Sequence, residues 1–193
     1  MRKTSHGESP EPYLEYLLSD LRFNKAAKFI KYGSKVADLG CGFNGNFLRK
    51  ISNIIKFGIG YDVSVNNKDL PKNISLKRID LNKKTPKNNY FDQVVALAVL
   101  EHVENPDGFL QFAHKLLKRG GIFIITTPHK RSKTLLEFLS TVLGLISRQE
   151  INDHKNYFDE SRLKSLFYKN RFKIINLGVF EVGLNLYCVA KKI

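Results

Sequence analysis

Residues 36–45 read VADLGCGFNG, a short apolar run that leads into Gly40, Gly42 and Gly45. The spacing G-x-G-x-x-G after a strand-like run matches the fingerprint of a dinucleotide-binding turn. Asp38, two places before the first glycine, does not suit that ligand. A helix N-terminus at such a turn attracts a pyrophosphate, and a carboxylate at its mouth repels one. The ligand of this loop therefore decides the reading of the chain.

The 193 residues, 42% hydrophobic, suffice for one well-cored domain. Residues 1–12 read as an irregular arm, 13–193 as the domain, and 129–158 as an insertion over the acceptor site. No run approaches the ~20 apolar residues that span a bilayer. The opening residues lack the apolar core of a secretory signal, so a cytoplasmic location is expected. Cys41 and Cys188 stand far apart, without metal-ligand or disulfide spacing, and no metal is expected. The formal charge of +14 is spread along the chain, often beside asparagine. It fits a solvated surface, a nucleic acid or an anionic membrane.

Helical spacing of Leu14, Leu17, Leu18, Leu21, Ala26, Phe29 and Ile30 predicts one or two helices before the loop. Beyond it, 46–55 reads as a helix, 56–64 as a second strand and 74–81 as a third. The run FDQVVALAVL, 91–100, has the continuous apolar character of a strand buried on both faces. A helix closed by Gly120 and Gly121 follows, then a fifth strand over 121–128 ending at Pro128. Residues 134–146 read as an apolar helix, and 159–170 as another that Asp159 caps. Two strand-like runs joined by Glu181, Val182 and Gly183 close the chain as an antiparallel edge hairpin. Alternating strands and helices predict an α/β fold with a doubly wound, mostly parallel, Rossmann-like sheet. Such sheets bind ligands beyond the carboxyl ends of their strands.

Two more acids stand at those ends. Asp62 closes the second strand, near the ~20-residue offset of a ribose-binding acid. Asp80 closes the third and can accept from an adenine amine, with Leu81 offering apolar contact. Three carboxylates around a glycine loop suit S-adenosylmethionine, which carries an ammonium and a sulfonium, better than NAD.

VADLGCG, GYDVS, RIDL, VVALAVLEHVENP and LKRGGIFIITTP together resemble the class I S-adenosylmethionine-dependent methyltransferases, in the group that includes quinone-biosynthesis enzymes. The resemblance covers roughly residues 13–193. It implies seven strands with the last one antiparallel. It also implies S-adenosyl-L-methionine as cofactor, held by Asp38, Gly40, Gly42, Gly45, Asp62, Asp80, Leu81 and Leu97. Here Phe43 and Asn44 set the third glycine one place later than the family usual. An NAD-dependent oxidoreductase is the rival reading, without a Tyr-x-x-x-Lys pair to support it; a protein that holds the cofactor without turnover is another.

The resemblance implies in-line methyl transfer. For a hydroxyl acceptor a base near the methyl group adds ~10²-fold or more. His154, in DHKNYF, is the first candidate base and His102, after strand four, the second; the alternatives are a lid anchor and a turn histidine respectively. Glu101 braces the same turn or meets the cofactor. Arg22 reaches the cofactor carboxylate or the acceptor, or else lies on a solvated helix face. His6 and His114 read as arm and surface residues. No Pro-Pro-aromatic motif follows strand four, and no cysteine follows strands four or five, which disfavours nucleic acid. Lys130, Arg131 and Lys133 precede Leu135–Ile146, where Glu137 is the one charge. This stretch reads as an apolar lid, a core-facing helix, or a peripheral contact with an anionic membrane. Residues 153–167 and 183–192 resemble enzymes of surface-polysaccharide and lipid-linked sugar pathways. Transfer to oxygen or nitrogen of a small-molecule or lipid-linked sugar acceptor is the expected reaction.

Overall fold

Strand β4 (Phe91–Leu97) is the central strand that its composition predicts. In the computed structural model, which describes residues 6–8, 13–79, 89–132 and 155–193, Val94, Val95 and Ala96 are fully buried. Successive side chains serve opposite faces. Val94 and Ala96 join one core with Leu110, Phe123, Phe167 and Phe172. Val95 and Leu97 join the other with Phe47, Leu48 and Ile51. Gln93 is the polar exception inside this strand. Its amide accepts from the Lys31 N–H at 2.7 Å and donates to the Phe29 carbonyl at 2.8 Å, so it satisfies backbone that would otherwise be orphaned.

The other strands are β1 (Lys35–Leu39), β2 (Phe57–Asp62), β3 (Ile74–Arg78), β5 (Leu117–Pro128), β6 (Phe172–Phe180) and β7 (Asn185–Lys192). They form one seven-stranded sheet in the order β3-β2-β1-β4-β5-β7-β6. Strands β1 to β5 pair in parallel, and β7 runs antiparallel between β5 and β6. The order reverses between β1 and β4, where an open α/β sheet places its ligand crevice.

Helices α1 (Tyr13–Ala27) and α2 (Asn46–Ile51) belong to one side, α3 (Pro106–Leu116) and α4 (Glu160–Lys169) to the other. The cap of α4 is the expected one, Asp159 accepting from the Arg162 N–H at 2.8 Å. Asn105 caps α3 in the same way through Gly108. Lys192 closes the far end of α3, donating to the carbonyls of His114 and Leu117.

Several boundaries differ from the sequence reading, among them the end of β3, at Arg78 rather than residue 81. Helix α2 stops at Ile51 rather than residue 55, its chain turning at Ser52. Helix α3 stops at Leu116, and Gly120 and Gly121 lie inside β5, where the register against β4 jumps between Phe91 and Gln93. Strand β4 ends at Leu97 because Ala98 takes a left-handed backbone, φ 55°, and turns its amide to the Thr126 carbonyl at 3.0 Å. A short 3-10 turn, Leu100–His102, follows. The apolar segment 134–146 lies outside the described residues.

Phe123 anchors the face covered by α3 and α4, its ring 5.7 Å from Phe167 and 5.6 Å from Phe172. Phe123→Ala is expected to cost about 3–5 kcal/mol of unfolding free energy. Urea denaturation followed by circular dichroism checks this as a lower midpoint with unchanged slope.

Candidate functional site

The glycine loop joins β1 to α2 at the carboxyl edge of the sheet. Gly40 and Gly42 both have φ 74°, a region closed to most side chains. A Cβ on Gly40 would run into Val99, which belongs to the turn after β4. The two strand ends that flank the crevice therefore approach through this glycine. Gly45 serves packing: it begins α2 with φ 61°, and a Cβ there would lie 2.6 Å from the Leu76 side chain.

The loop amides are already engaged. Gly40 and Cys41 donate to the Tyr61 carbonyl, Phe43 to the His6 carbonyl and Gly45 to the Gly42 carbonyl. Gly42 donates to Asp62 Oδ2 at 2.8 Å. A phosphate cradle needs such amides aimed at the ligand. This loop spends them on its own scaffold.

Asp38 is 2% exposed. Burial, with the nearby Asp62 charge, pushes its pKa up to about 8. Asp62 accepts from the Gly42 and Val63 amides, one on each oxygen. Two neighbouring carboxyl groups, one of them buried, make a site that a cation relieves and an anion worsens. Cys41 lies in the same loop, but burial raises its thiol pKa and its S–H donates to the Gly42 carbonyl. It is not a reactive thiol.

Leu97 is buried at the end of β4, level with Thr126. His102 is half-buried in the turn beyond it. Glu101, 1% exposed, braces that turn: its carboxylate accepts from Thr127 Oγ1 at 3.1 Å, and its carbonyl accepts from the Lys155 and Asn156 amides. Arg22, half-buried on α1, donates to Ser19 Oγ at 2.8 Å. Asp80, Leu81 and His154 lie outside the described residues.

His129 stands at the end of β5, with its ring committed to structure. Nδ1 accepts from the Arg131 amide at 2.9 Å, which puts the proton on Nε2, 3.3 Å from Glu160 Oε2. That partnership, after the backbone bond at the start of α4, holds the Glu160 pKa below its ordinary value. A parallel bridge from His129 to Phe158 ties the two ends of 129–158 together. The sequence reading missed the position of the arm. The His6 carbonyl sits on the glycine loop, 2.8 Å from the Phe43 amide, and Ser64 Oγ donates to Glu8 at 3.4 Å. No local pattern in residues 6–8 signals that contact.

A Rossmann-like sheet with this order, and a glycine loop flanked by acids rather than open amides, defines a domain for a cationic nucleoside cofactor. The particular family follows from comparison. A family model described as "Methyltransferase domain" matches residues 11–177. The mitochondrial ubiquinone biosynthesis O-methyltransferase of Dictyostelium discoideum is 29% identical over 75% of this chain and 51% of that protein. The ubiquinone biosynthesis O-methyltransferase of Bartonella bacilliformis is 26% identical over 79% of this chain and 66% of that one. The chain thus spans between about half and two-thirds of these relatives. A solved S-adenosylmethionine-dependent methyltransferase structure from Listeria monocytogenes superposes with a TM-score of 0.70, at 16% identity, over 91% of this chain and 99% of its own. The chain belongs to the class I S-adenosylmethionine-dependent methyltransferases, of the quinone-biosynthesis-like kind, with S-adenosyl-L-methionine as cofactor.

Because folding raises the Asp38 pKa from 3.8 to about 8, the cofactor-free folded chain binds a proton there that the unfolded chain releases. Its contribution is therefore a loss of stability as pH rises between those values, complete above about 8. Asp38→Asn is expected to flatten that part of the profile and to melt higher than wild type above about pH 8, with little difference near pH 4. Thermal unfolding of both proteins across pH, without cofactor, checks it.

Proposed function

We propose that this chain transfers a methyl group to an oxygen or nitrogen of a small-molecule or lipid-linked sugar acceptor. The observation that carries the reading is the buried Asp38 carboxyl beside Asp62, at a loop whose amides are already engaged. When bound, S-adenosyl-L-methionine supplies a methyl group on a positively charged sulfur. Asp38 pairs with its ammonium, and Asp62 accepts from its ribose hydroxyls. Asp80 and Leu81 take the adenine, and Leu97 gives an apolar wall. Gly40, Gly42 and Gly45 shape the loop. Holding donor and acceptor collinear supplies about 7–11 kcal/mol of the barrier reduction. His154, and after it His102, takes the proton of a hydroxyl acceptor.

Support for the acceptor class comes from two sides. Relatives are named as O-methyltransferases of ubiquinone biosynthesis, and the chain's own 153–167 and 183–192 segments resemble polysaccharide and lipid-linked sugar enzymes. Lys130, Arg131 and Lys133 before the apolar 135–146 stretch support peripheral contact with an anionic membrane from the cytoplasmic side. Among the described residues no helix is long and apolar enough to cross one. Flotation with anionic vesicles tests this contact: the chain is expected to float with them and to remain at the bottom with neutral vesicles, and a chain that never floats removes the membrane part.

Calorimetric titration separates the donor from its rival. S-adenosylmethionine and S-adenosylhomocysteine are expected to bind and NAD is not. Below about pH 8 binding of the cationic donor should release a proton, so affinity rises with pH and the heat depends on buffer ionisation enthalpy. Asp38→Asn should weaken binding about 10- to 100-fold, the factor carried by a charge-assisted hydrogen bond of ~1.5–3 kcal/mol. A preference for NAD overturns the reading. Donor binding without methylation of any acceptor extract leaves a protein that holds the cofactor without turnover.

A further inference from the structure

The hairpin between β6 and β7 returns to the ligand edge of the sheet. Asn185 pairs in register with Pro128, the last residue of β5, and the Leu184 carbonyl accepts from the His129 amide at 2.8 Å. The turn thus borders the start of the 129–158 segment. Two residues along β7, Tyr187 stacks on Phe29 and lies under Lys25 Nζ, so Asn185 and Tyr187 share the α1 face of the sheet.

At this corner Asn185 Nδ2 donates to Glu181 Oε2. The outer atoms of the pair, Asn185 Oδ1 and Glu181 Oε1, are both buried and have no hydrogen-bond partner. Asn185 is only 6% exposed. An amide flip does not cure this, because only the nitrogen can donate to the carboxylate. Buried acceptors without donors are costly, and in native structures they mark a missing partner.

The pair sits on a strained turn. Glu181 and Val182, the central residues of the turn, have φ 52° and 54°. A β-branched residue there is a true outlier, and such strain collects at functional sites. Val182 itself is fully exposed, so its own packing does not account for the turn. Burial raises the Glu181 pKa, while Arg22 on α1 and the Asn185 amide pull it down.

We propose that Glu181 and Asn185 form an acceptor-binding subsite for hydroxyl groups of a neutral acceptor, each unpartnered oxygen receiving an O–H donor. This rests on the methyltransferase reading above and names the chemistry of its acceptor. Sugars and aromatic diols carry the same O–H donors, and the test distinguishes them.

The Asn185 side-chain amide signals, in 15N NMR spectra of the full chain saturated with S-adenosylhomocysteine, report the subsite directly. The probes are methyl β-D-glucoside and 1,2-dihydroxybenzene. Saturable shifts with the glucoside, the aromatic diol or both are expected, the first identifying a sugar source and the second an aromatic one. By loop resonances, Asn185→Leu and Glu181→Leu should each weaken the hydroxylated probe at least about tenfold while S-adenosylhomocysteine binds as in wild type. Val182→Gly, at the exposed tip, should bind the probe normally. Absence of shifts with both hydroxylated probes, or unchanged probe affinity in both leucine variants, overturns the subsite. Failure of S-adenosylhomocysteine to bind wild type overturns the methyltransferase reading instead.

Discussion

Everything at the ligand edge is built around an acid that the sheet buries. The sheet enforces this. Asp38 is held in register between Gly60 on β2 and Val95 on β4, so its backbone has parallel neighbours on both sides. Gly60 leaves that side open for the loop: a Cβ there would meet Cys41 Sγ at 2.7 Å and Leu76 at 2.6 Å. A buried acid answers its desolvation by retaining its proton, and the raised Asp38 pKa follows from that burial and from Asp62 beside it.

The alternation of β and α runs, the terminal hairpin and the capping role of Asp159 were legible because each rests on short-range pattern. Asp38 was legible as chemistry, since a carboxylate before a glycine loop contradicts a pyrophosphate whatever the surrounding fold. The amide bookkeeping of the loop was not. It depends on Tyr61, Asp62 and His6, which reach the loop from β2 and from the arm. Gly45 illustrates the same limit. Its sequence position fits a ligand contact, while its neighbour in space is Leu76 on β3. The spurious helix ending at Gly120 has a simpler cause: a glycine pair also suits a register jump at the start of a strand.

Histidines at strand ends look alike in sequence and differ in what surrounds them. His129 has both ring nitrogens committed, to the Arg131 amide and to Glu160. Its bridge to Phe158, with the Glu101 carbonyl receiving the Lys155 and Asn156 amides, fastens the departing and returning ends of 129–158 at one place. A segment closed at its base adds little loop-closure entropy as its length changes. The length of this segment can therefore vary without disturbing the strands that carry its two ends.

Charge works at two ranges in this molecule. A formal +14 would repel a cationic donor if the whole field governed binding, yet surface charges are screened over ~8 Å at physiological ionic strength. Asp62 acts within that distance, so the local sign at the loop is negative despite the total.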